Sequence, residues 1–111
     1  MENIHIIEAL INCAAHCRNC AYLSLKEENV NELQEAITNT LICAEICEYA
    51  SELPACTESE MRYLLKECKT SCKKCAKECE KLEYDYFKKC AAACEKCIDV
   101  CNIHLVEMEI N

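Results

Sequence analysis

The chain contains no glycine and a single proline, Pro54, among its 111 residues. Alanine, leucine, glutamate and lysine are abundant, and these residues favour helices. Runs of valine, isoleucine, threonine and aromatic residues, which favour strands, are scarce. The sequence therefore predicts an all-α fold, and its length fits one domain covering residues 1–111.

Four segments have helical periodicity and together predict an antiparallel four-helix bundle with a cysteine-lined core. The first two segments are expected at about Ile4–Ser24 and Val30–Leu53, and Pro54 should end the second. The third opens at the capping-box pattern of Thr57 and Glu60 and continues to about Leu82. The fourth is expected at about Asp85–Met108, with Asp85 as its N-cap. Because Glu83–Phe87 contains no glycine or proline, one long helix is an alternative, but matched helix lengths favour a break.

The spacing of the 14 cysteines is the most informative pattern. The third and fourth helices each carry four cysteines at intervals of 4, 3 and 4, while the first carries three and has Ser24 at its fourth position. The second helix carries two, and Cys56 lies in the turn after Pro54. Such spacing marks the inward stripe of a bundle helix, where leucine and isoleucine usually pack. The predicted core cysteines are Cys13, Cys17, Cys20, Cys43, Cys47, Cys68, Cys72, Cys75, Cys79, Cys90, Cys94, Cys97 and Cys101.

The segment Met1–Leu10 lacks the basic and long apolar regions of an export signal, so the protein is expected to be cytoplasmic. Thiols stay reduced there, and many cysteines then indicate metal binding or catalysis rather than disulfides. Bridges between cysteines four apart on one helix would also be strained. The net charge of −8 argues against nucleic acid or an anionic membrane as a partner. No segment approaches the roughly 20 apolar residues that span a bilayer.

The ligand type favours copper. Cu(I) prefers soft thiolates and accepts few ligands, so the thiols would hold roughly seven ions without sharing and up to about twice that with sharing. Zn(II) in four-thiol sites is an alternative. Two further alternatives are a sensing or delivery module that binds few ions and a bundle with a thiol-rich core that binds no metal. Iron–sulfur clusters usually have cysteine-rich loops, which are missing, and no nucleophile–base pair or βαβ context predicts an enzyme.

Residues beyond the cysteine stripes predict different ends of the bundle. Met61, His104 and Met108 extend the stripes of the third and fourth helices, and Cys56 and His5 are expected at the same end. These ligands predict that Cu(I) enters and leaves there, so the expected metal ligands are all 14 cysteines with Met61, His104 and Met108. The opposite end is expected to be plugged by Ser24, Leu33, Leu82 and Tyr86, with Leu25 and Phe87 nearby. His16 lies off the stripe and is expected at the surface.

The chain resembles the bacterial cysteine-rich copper storage proteins, the four-helix-bundle Csp family. The resemblance rests on Cys68–Cys79 and Cys90–Cys101, which share the pattern C-x3-C-x2-C-x3-C, and on the similar Cys13–Ala21. It implies Cu(I) bound by core thiolates, with methionine and histidine near an open mouth. It also implies a homotetramer of bundles, and a cytosolic form for members that lack an export signal. Because the second helix has two cysteines and the first has Ser24, the expected capacity is lower than in the cysteine-richest members.

Overall fold

The computed structural model describes residues 3–110 and confirms the predicted all-α four-helix bundle. Each helix packs against the next along the chain, and the fourth packs back on the first, which closes the ring. The bundle is elongated, about 50 × 21 × 20 Å. The helices are α1 at Asn3–Ser24, α2 at Gln34–Ala50, α3 at Glu58–Glu80 and α4 at Asp85–Ile110.

The second helix is shorter than its periodicity predicts. Val30–Leu33 forms a 3-10 turn before α2, and α2 ends at Ala50 rather than Leu53. Backbone N–H groups after Ala50 bond three residues back, from Glu52 to Tyr49 and from Ala55 to Glu52. Because Pro54 disfavours helical geometry at the preceding residue, the chain tightens into the 3-10 turn Leu53–Ala55 instead of extending the α-helix.

Helix α3 begins and ends sharply. The Thr57 hydroxyl accepts from the Glu60 N–H and the Glu60 carboxylate accepts from the Thr57 N–H, so the predicted capping box is present. The helix ends at Glu80 rather than Leu82, and the break before α4 is present. Asp85 is the first residue of α4 and not its N-cap, because the carbonyl of Tyr84 accepts from the first turn. The Asp85 carboxylate therefore lies in the first turn, where it stabilises the helix dipole.

The inward and outward faces of the helices are those that the periodicity predicts. The thiols and a few aliphatic residues fill the interior, and charged residues cover most of the outside. Arg18 of α1 makes a bidentate ion pair with Glu48 of α2 on the surface, at 2.7 and 3.0 Å. Among residues 3–110, no helix has both the length and the apolar character needed to cross a membrane.

One end of the bundle, here called the aromatic end, is closed by Tyr84, Tyr86 and Phe87. The Tyr84 and Tyr86 rings stack with centroids 5.3 Å apart, and the fully buried Phe87 contacts both. The Tyr86 hydroxyl donates to Glu27 at 2.7 Å, and burial together with this bond raises the pKa of Tyr86. Leu33 is buried as predicted, whereas Leu25 is exposed and takes no part in the plug.

Replacing Phe87 with alanine is expected to lower the free energy of unfolding by about 3–5 kcal/mol, because the fully buried ring would leave a cavity that its neighbours fill only in part. Urea denaturation of the reduced apo-protein measures this change. The control is Tyr49→Ala, since the exposed Tyr49 should change stability by less than about 0.5 kcal/mol. Equal effects of the two substitutions would contradict the plug.

Candidate metal centre

The inward stripes place a continuous column of thiols along the bundle axis. The thirteen predicted core cysteines are fully buried, and each is a free thiol. Below they are called the core thiols: Cys13, Cys17, Cys20, Cys43, Cys47, Cys68, Cys72, Cys75, Cys79, Cys90, Cys94, Cys97 and Cys101. Ser24, at the fourth position of the α1 stripe, is also buried, but its hydroxyl donates to the carbonyls of Cys20 and Ala21. The Ser24 hydroxyl is therefore hydrogen-bonded within α1 and does not bond to a thiol.

Sulfur atoms from different helices are in contact. The Sγ–Sγ distance is 3.4 Å between Cys47 and Cys68. It is 3.6 Å between Cys17 and Cys90. These separations are those of neighbouring thiols and far exceed a disulfide bond of about 2.05 Å. The packing of the helices thus brings sulfurs of different helices into contact.

The sulfur separations fit a thiolate-bound metal. A metal–sulfur bond of about 2.3 Å separates two sulfurs by about 4.0 Å in a trigonal site and about 3.8 Å in a tetrahedral one, but about 4.6 Å in a linear one. Cys13 lies 3.7 Å from Cys94 and 3.8 Å from Cys72. The column therefore suits three or four sulfurs around each ion more closely than two. Hard cations such as Mg²⁺ or Ca²⁺ require oxygen ligands, which the column does not provide.

The core thiols form five groups whose sulfurs lie within 4.8 Å of one another. Three groups contain four thiols and two contain three, and all thirteen core thiols belong to at least one. Neighbouring groups share members, so one sulfur could bridge two ions. From one end of the bundle to the other, the groups are Cys68/Cys97/Cys101, Cys13/Cys47/Cys72/Cys97, Cys13/Cys17/Cys43/Cys94, Cys17/Cys75/Cys90/Cys94 and Cys20/Cys79/Cys90.

Hydrogen bonds among the thiols shift their pKa values in opposite directions. Bonds with Cys101 and then with Cys47 lower the pKa of Cys68 to about 6, since they stabilise its thiolate. Bonds with Cys13 and other thiols, together with burial, raise the pKa of Cys72. A thiol that donates to a neighbouring thiolate keeps its own proton. A thiol whose pKa is lowered gives up its proton to a metal ion more readily than one whose pKa is raised.

The other end of the bundle, here called the outer end, holds Met61, His104 and Met108. All three are partly buried, and His104 Nδ1 lies 4.0 Å from a carboxylate oxygen of Glu107. Met61 and Met108 pack against the apolar core. At this end the stripes next to the outermost thiols carry a buried aliphatic layer of Ile6, Leu10, Leu65 and Leu105. Met61 and Met108 thus lie outside this aliphatic seal, whereas His104 is level with it, one residue before Leu105 in α4.

This seal was not predicted from the sequence. The signal was available, because Leu10 and Ile6 lie three and seven residues before Cys13 and so continue the α1 stripe. Leu105 lies four residues after Cys101 and continues the α4 stripe in the same way. The stripes therefore change from sulfur to hydrocarbon before the bundle ends.

The remaining candidate ligands lie apart from the column. Cys56 is partly exposed in the groove between α2 and α3, where its Sγ lies 3.5 Å from the carbonyl of Glu52. His5 is exposed in the groove between α1 and α4, on the opposite side of the bundle. The structure therefore does not bring Cys56 and His5 together. His16 is partly exposed and lies in none of the thiol groups.

Comparison with known proteins identifies a family and several similar structures. The family model described as "Copper storage protein" (Csp) matches residues 1–106. A cytosolic copper storage protein from Streptomyces lividans with five coppers has 30% identity and a TM-score of 0.87, over 91% of this chain and 89% of that one. The S. lividans copper storage protein Ccsp, loaded with 10 copper equivalents, has 28% identity and a TM-score of 0.88, over 92% of this chain and 82% of that one. The Cu(I)-bound copper storage protein BsCsp3 has 29% identity and a TM-score of 0.86, over 93% of this chain and 97% of that one. No curated protein sequence matches the chain.

Proposed function

Because the chain belongs to the Csp copper storage protein family, we propose that it stores several Cu(I) ions on its core thiols. The observation that carries this proposal is the column of thirteen buried free thiols whose groups share members from one end to the other. With three sulfurs around each ion, the thirteen thiols would hold about four Cu(I) without sharing and about nine when each sulfur bridges two ions, and the shared members of neighbouring groups favour the higher number. Soft, polarisable sulfur is the ligand that Cu(I) prefers, and burial protects the ions from solvent.

Native mass spectrometry of the reduced protein with excess Cu(I) tests the proposal. Storage predicts a mass gain of about seven or more copper ions per chain, and about one or two ions would indicate delivery or sensing instead. Cys56→Ser should lower the count by less than about one ion, because this thiol lies outside the five groups. Cys94→Ser should lower it more, since Cys94 belongs to two groups.

Zinc storage is the second candidate, and the three groups of four thiols favour it. Zn(II) takes four tetrahedral sulfurs separated by about 3.8 Å, close to the observed contacts. Sharing of thiols between neighbouring groups distinguishes the two metals, because structural zinc sites usually have separate, closed ligand sets. A parallel measurement with Zn(II) is therefore informative. Tight uptake of about three Zn(II) with weak Cu(I) binding would replace copper with zinc.

The proposed setting is the cytoplasm, with the whole chain acting as one storage domain without turnover chemistry. The similar S. lividans protein is cytosolic, which supports this location. A homotetramer is also proposed, and exposed apolar residues on α1 support association, among them Ile11 and Tyr22. Light scattering on the reduced protein should give about four times the chain mass of 12.7 kDa. The mass of a single chain would reject the tetramer.

Replacing His104 and Met108 with leucine is expected to slow both loading and release of copper while leaving the capacity nearly unchanged. These side chains supply the only imidazole and one of the two thioethers proposed to receive Cu(I) at the outer end. Stopped-flow exchange with a chromogenic Cu(I) chelator measures the rates. The control is Tyr22→Leu on the exposed face of α1. Unaltered exchange rates in the double variant would contradict an entrance at this end.

Copper affinity is expected to fall as the pH falls. Hydrogen bonds with neighbouring thiols and burial raise the pKa values of Cys17 and Cys72, so both are protonated at neutral pH. Cu(I) must displace these protons, and the apparent affinity should weaken about tenfold per pH unit for each proton displaced. Competition titrations at about pH 6.5 and about pH 8 measure the slope. An affinity that does not change over this interval would show that the ligands are already thiolates.

A further inference from the structure

Two thiols, Cys17 and Cys94, occupy a special position in the column. They are the members common to the third and fourth thiol groups, which meet near the middle of the bundle. We propose that these junction thiols pass Cu(I) from the outer half of the column to the inner half. The outer thiols are Cys13, Cys43, Cys47, Cys68, Cys72, Cys97 and Cys101, and the inner thiols are Cys20, Cys75, Cys79 and Cys90. The inference rests on the proposed storage of copper and assigns a route to it.

The inner thiols are isolated from solvent. Each is fully buried, and Phe87 with its two tyrosine neighbours closes the aromatic end beside them. Copper arriving from that end would have to displace the packed rings of Tyr84, Tyr86 and Phe87, none of which is a soft ligand. The soft ligands of the outer end lie on the other side of the outer thiols. Copper entering there must therefore cross the column to fill the inner thiols.

The junction thiols contact both halves. Cys94 Sγ lies 3.7 Å from Cys13 and 3.9 Å from Cys43 on the outer side. Cys17 Sγ lies 3.6 Å from Cys90 and 4.0 Å from Cys75 on the inner side. Cys17 and Cys94 themselves lie within 4.8 Å of each other. An ion held by one junction thiol is thus within bonding reach of the other after a small shift.

The transfer is a ligand exchange without redox change. An inner thiol binds Cu(I) and gives up its proton, while an outer thiolate leaves the ion and takes a proton. Copper stays Cu(I) throughout, and the number of metal–sulfur bonds is conserved. Because the junction thiols contact sulfurs on both sides, a new copper–sulfur bond can form before the old one breaks.

Real-time NMR of protein labelled with ¹³Cβ-cysteine tests the relay, because metal binding moves each Cβ resonance. The test variant is Cys17→Ser/Cys94→Ser. The matched control is Cys20→Ser/Cys101→Ser, which also removes one thiol from α1 and one from α4, but takes each from a single group. In the test variant, Cys75, Cys79 and Cys90 should load at least about tenfold more slowly than in the control, with the outer thiols loading at unchanged rates.

Equal loading rates of the inner thiols in the two variants would overturn the relay. Slow loading of the outer thiols instead would overturn it too, since copper would then enter at the aromatic end. If serine disturbs folding, as judged by circular dichroism, alanine at the same four positions gives the same comparison. A wild-type chain that binds only one or two ions would refute storage itself, whereas a fully loaded wild type with equal variants refutes the relay alone.

Discussion

Loading with Cu(I) is expected to raise the unfolding temperature of the reduced protein by about 20 °C or more. Each ion that binds only the folded chain at a thousandfold excess over its dissociation constant contributes about 4 kcal/mol. In a domain of this size, 1 kcal/mol shifts the midpoint by about 4 °C or more. Several ions therefore outweigh any single packing interaction in the bundle.

The structure gives a physical reason for this dependence on copper. Thirteen core positions that usually hold leucine or isoleucine hold the smaller cysteine, so the apo-protein buries less apolar surface than a typical bundle. Ions bound at the thiol groups would join all four helices, because the group Cys13/Cys47/Cys72/Cys97 takes one thiol from each. Thermal unfolding followed by circular dichroism, with and without copper, measures the shift. Removing copper with an excess of chelator should restore the lower unfolding midpoint. An unfolding midpoint that is the same with and without copper would contradict binding in the core.

Replacing the four cysteines of α4 with serine is expected to remove more than half of the copper capacity. Each of the five thiol groups contains at least one α4 cysteine, so this variant weakens all of them. The matched control replaces the four α3 cysteines, which leaves the group Cys13/Cys17/Cys43/Cys94 intact. The two variants keep the same number of thiols. The replaced sets are Cys90, Cys94, Cys97 and Cys101 on α4, and Cys68, Cys72, Cys75 and Cys79 on α3.

Counting the copper bound after gel filtration under nitrogen gives the capacity of each variant. The α3 variant should hold more copper than the α4 variant, although both have lost four thiols. Both proteins must first show the helical circular dichroism spectrum of the wild type, and alanine replaces serine if they do not. Equal capacities would mean that the number of thiols, and not their grouping, determines storage.

Much of the fold could be predicted because its signals are local. The 4-3-4 spacing of cysteines on the third and fourth helices fixes which face of each helix turns inward, and all thirteen predicted core thiols are buried. The capping-box pattern of Thr57 and Glu60 likewise predicted the start of α3. The predicted end of α2 was less accurate, because the 3-10 turn at Leu53–Ala55 depends on backbone hydrogen bonds that periodicity does not encode.

The arrangement of the thiols into groups could not be predicted from the sequence. Which sulfurs meet depends on the axial offset and rotation of four helices, and a shift of a few ångströms would exchange partners. Cys17 and Cys94 are 77 positions apart in the sequence, and nothing in the spacing of either distinguishes it from its neighbours. The surface position of Cys56 and the separation of His5 from it likewise follow from helix order around the ring.

Anaerobic titration of the fully reduced protein with Cu(I), against a chromogenic chelator, tests the central claim most directly. Storage on the core thiols predicts that the protein withholds about seven or more Cu(I) per chain from the chelator before its colour develops. Colour that develops after one or two equivalents would contradict storage and leave a chain that carries or senses single ions.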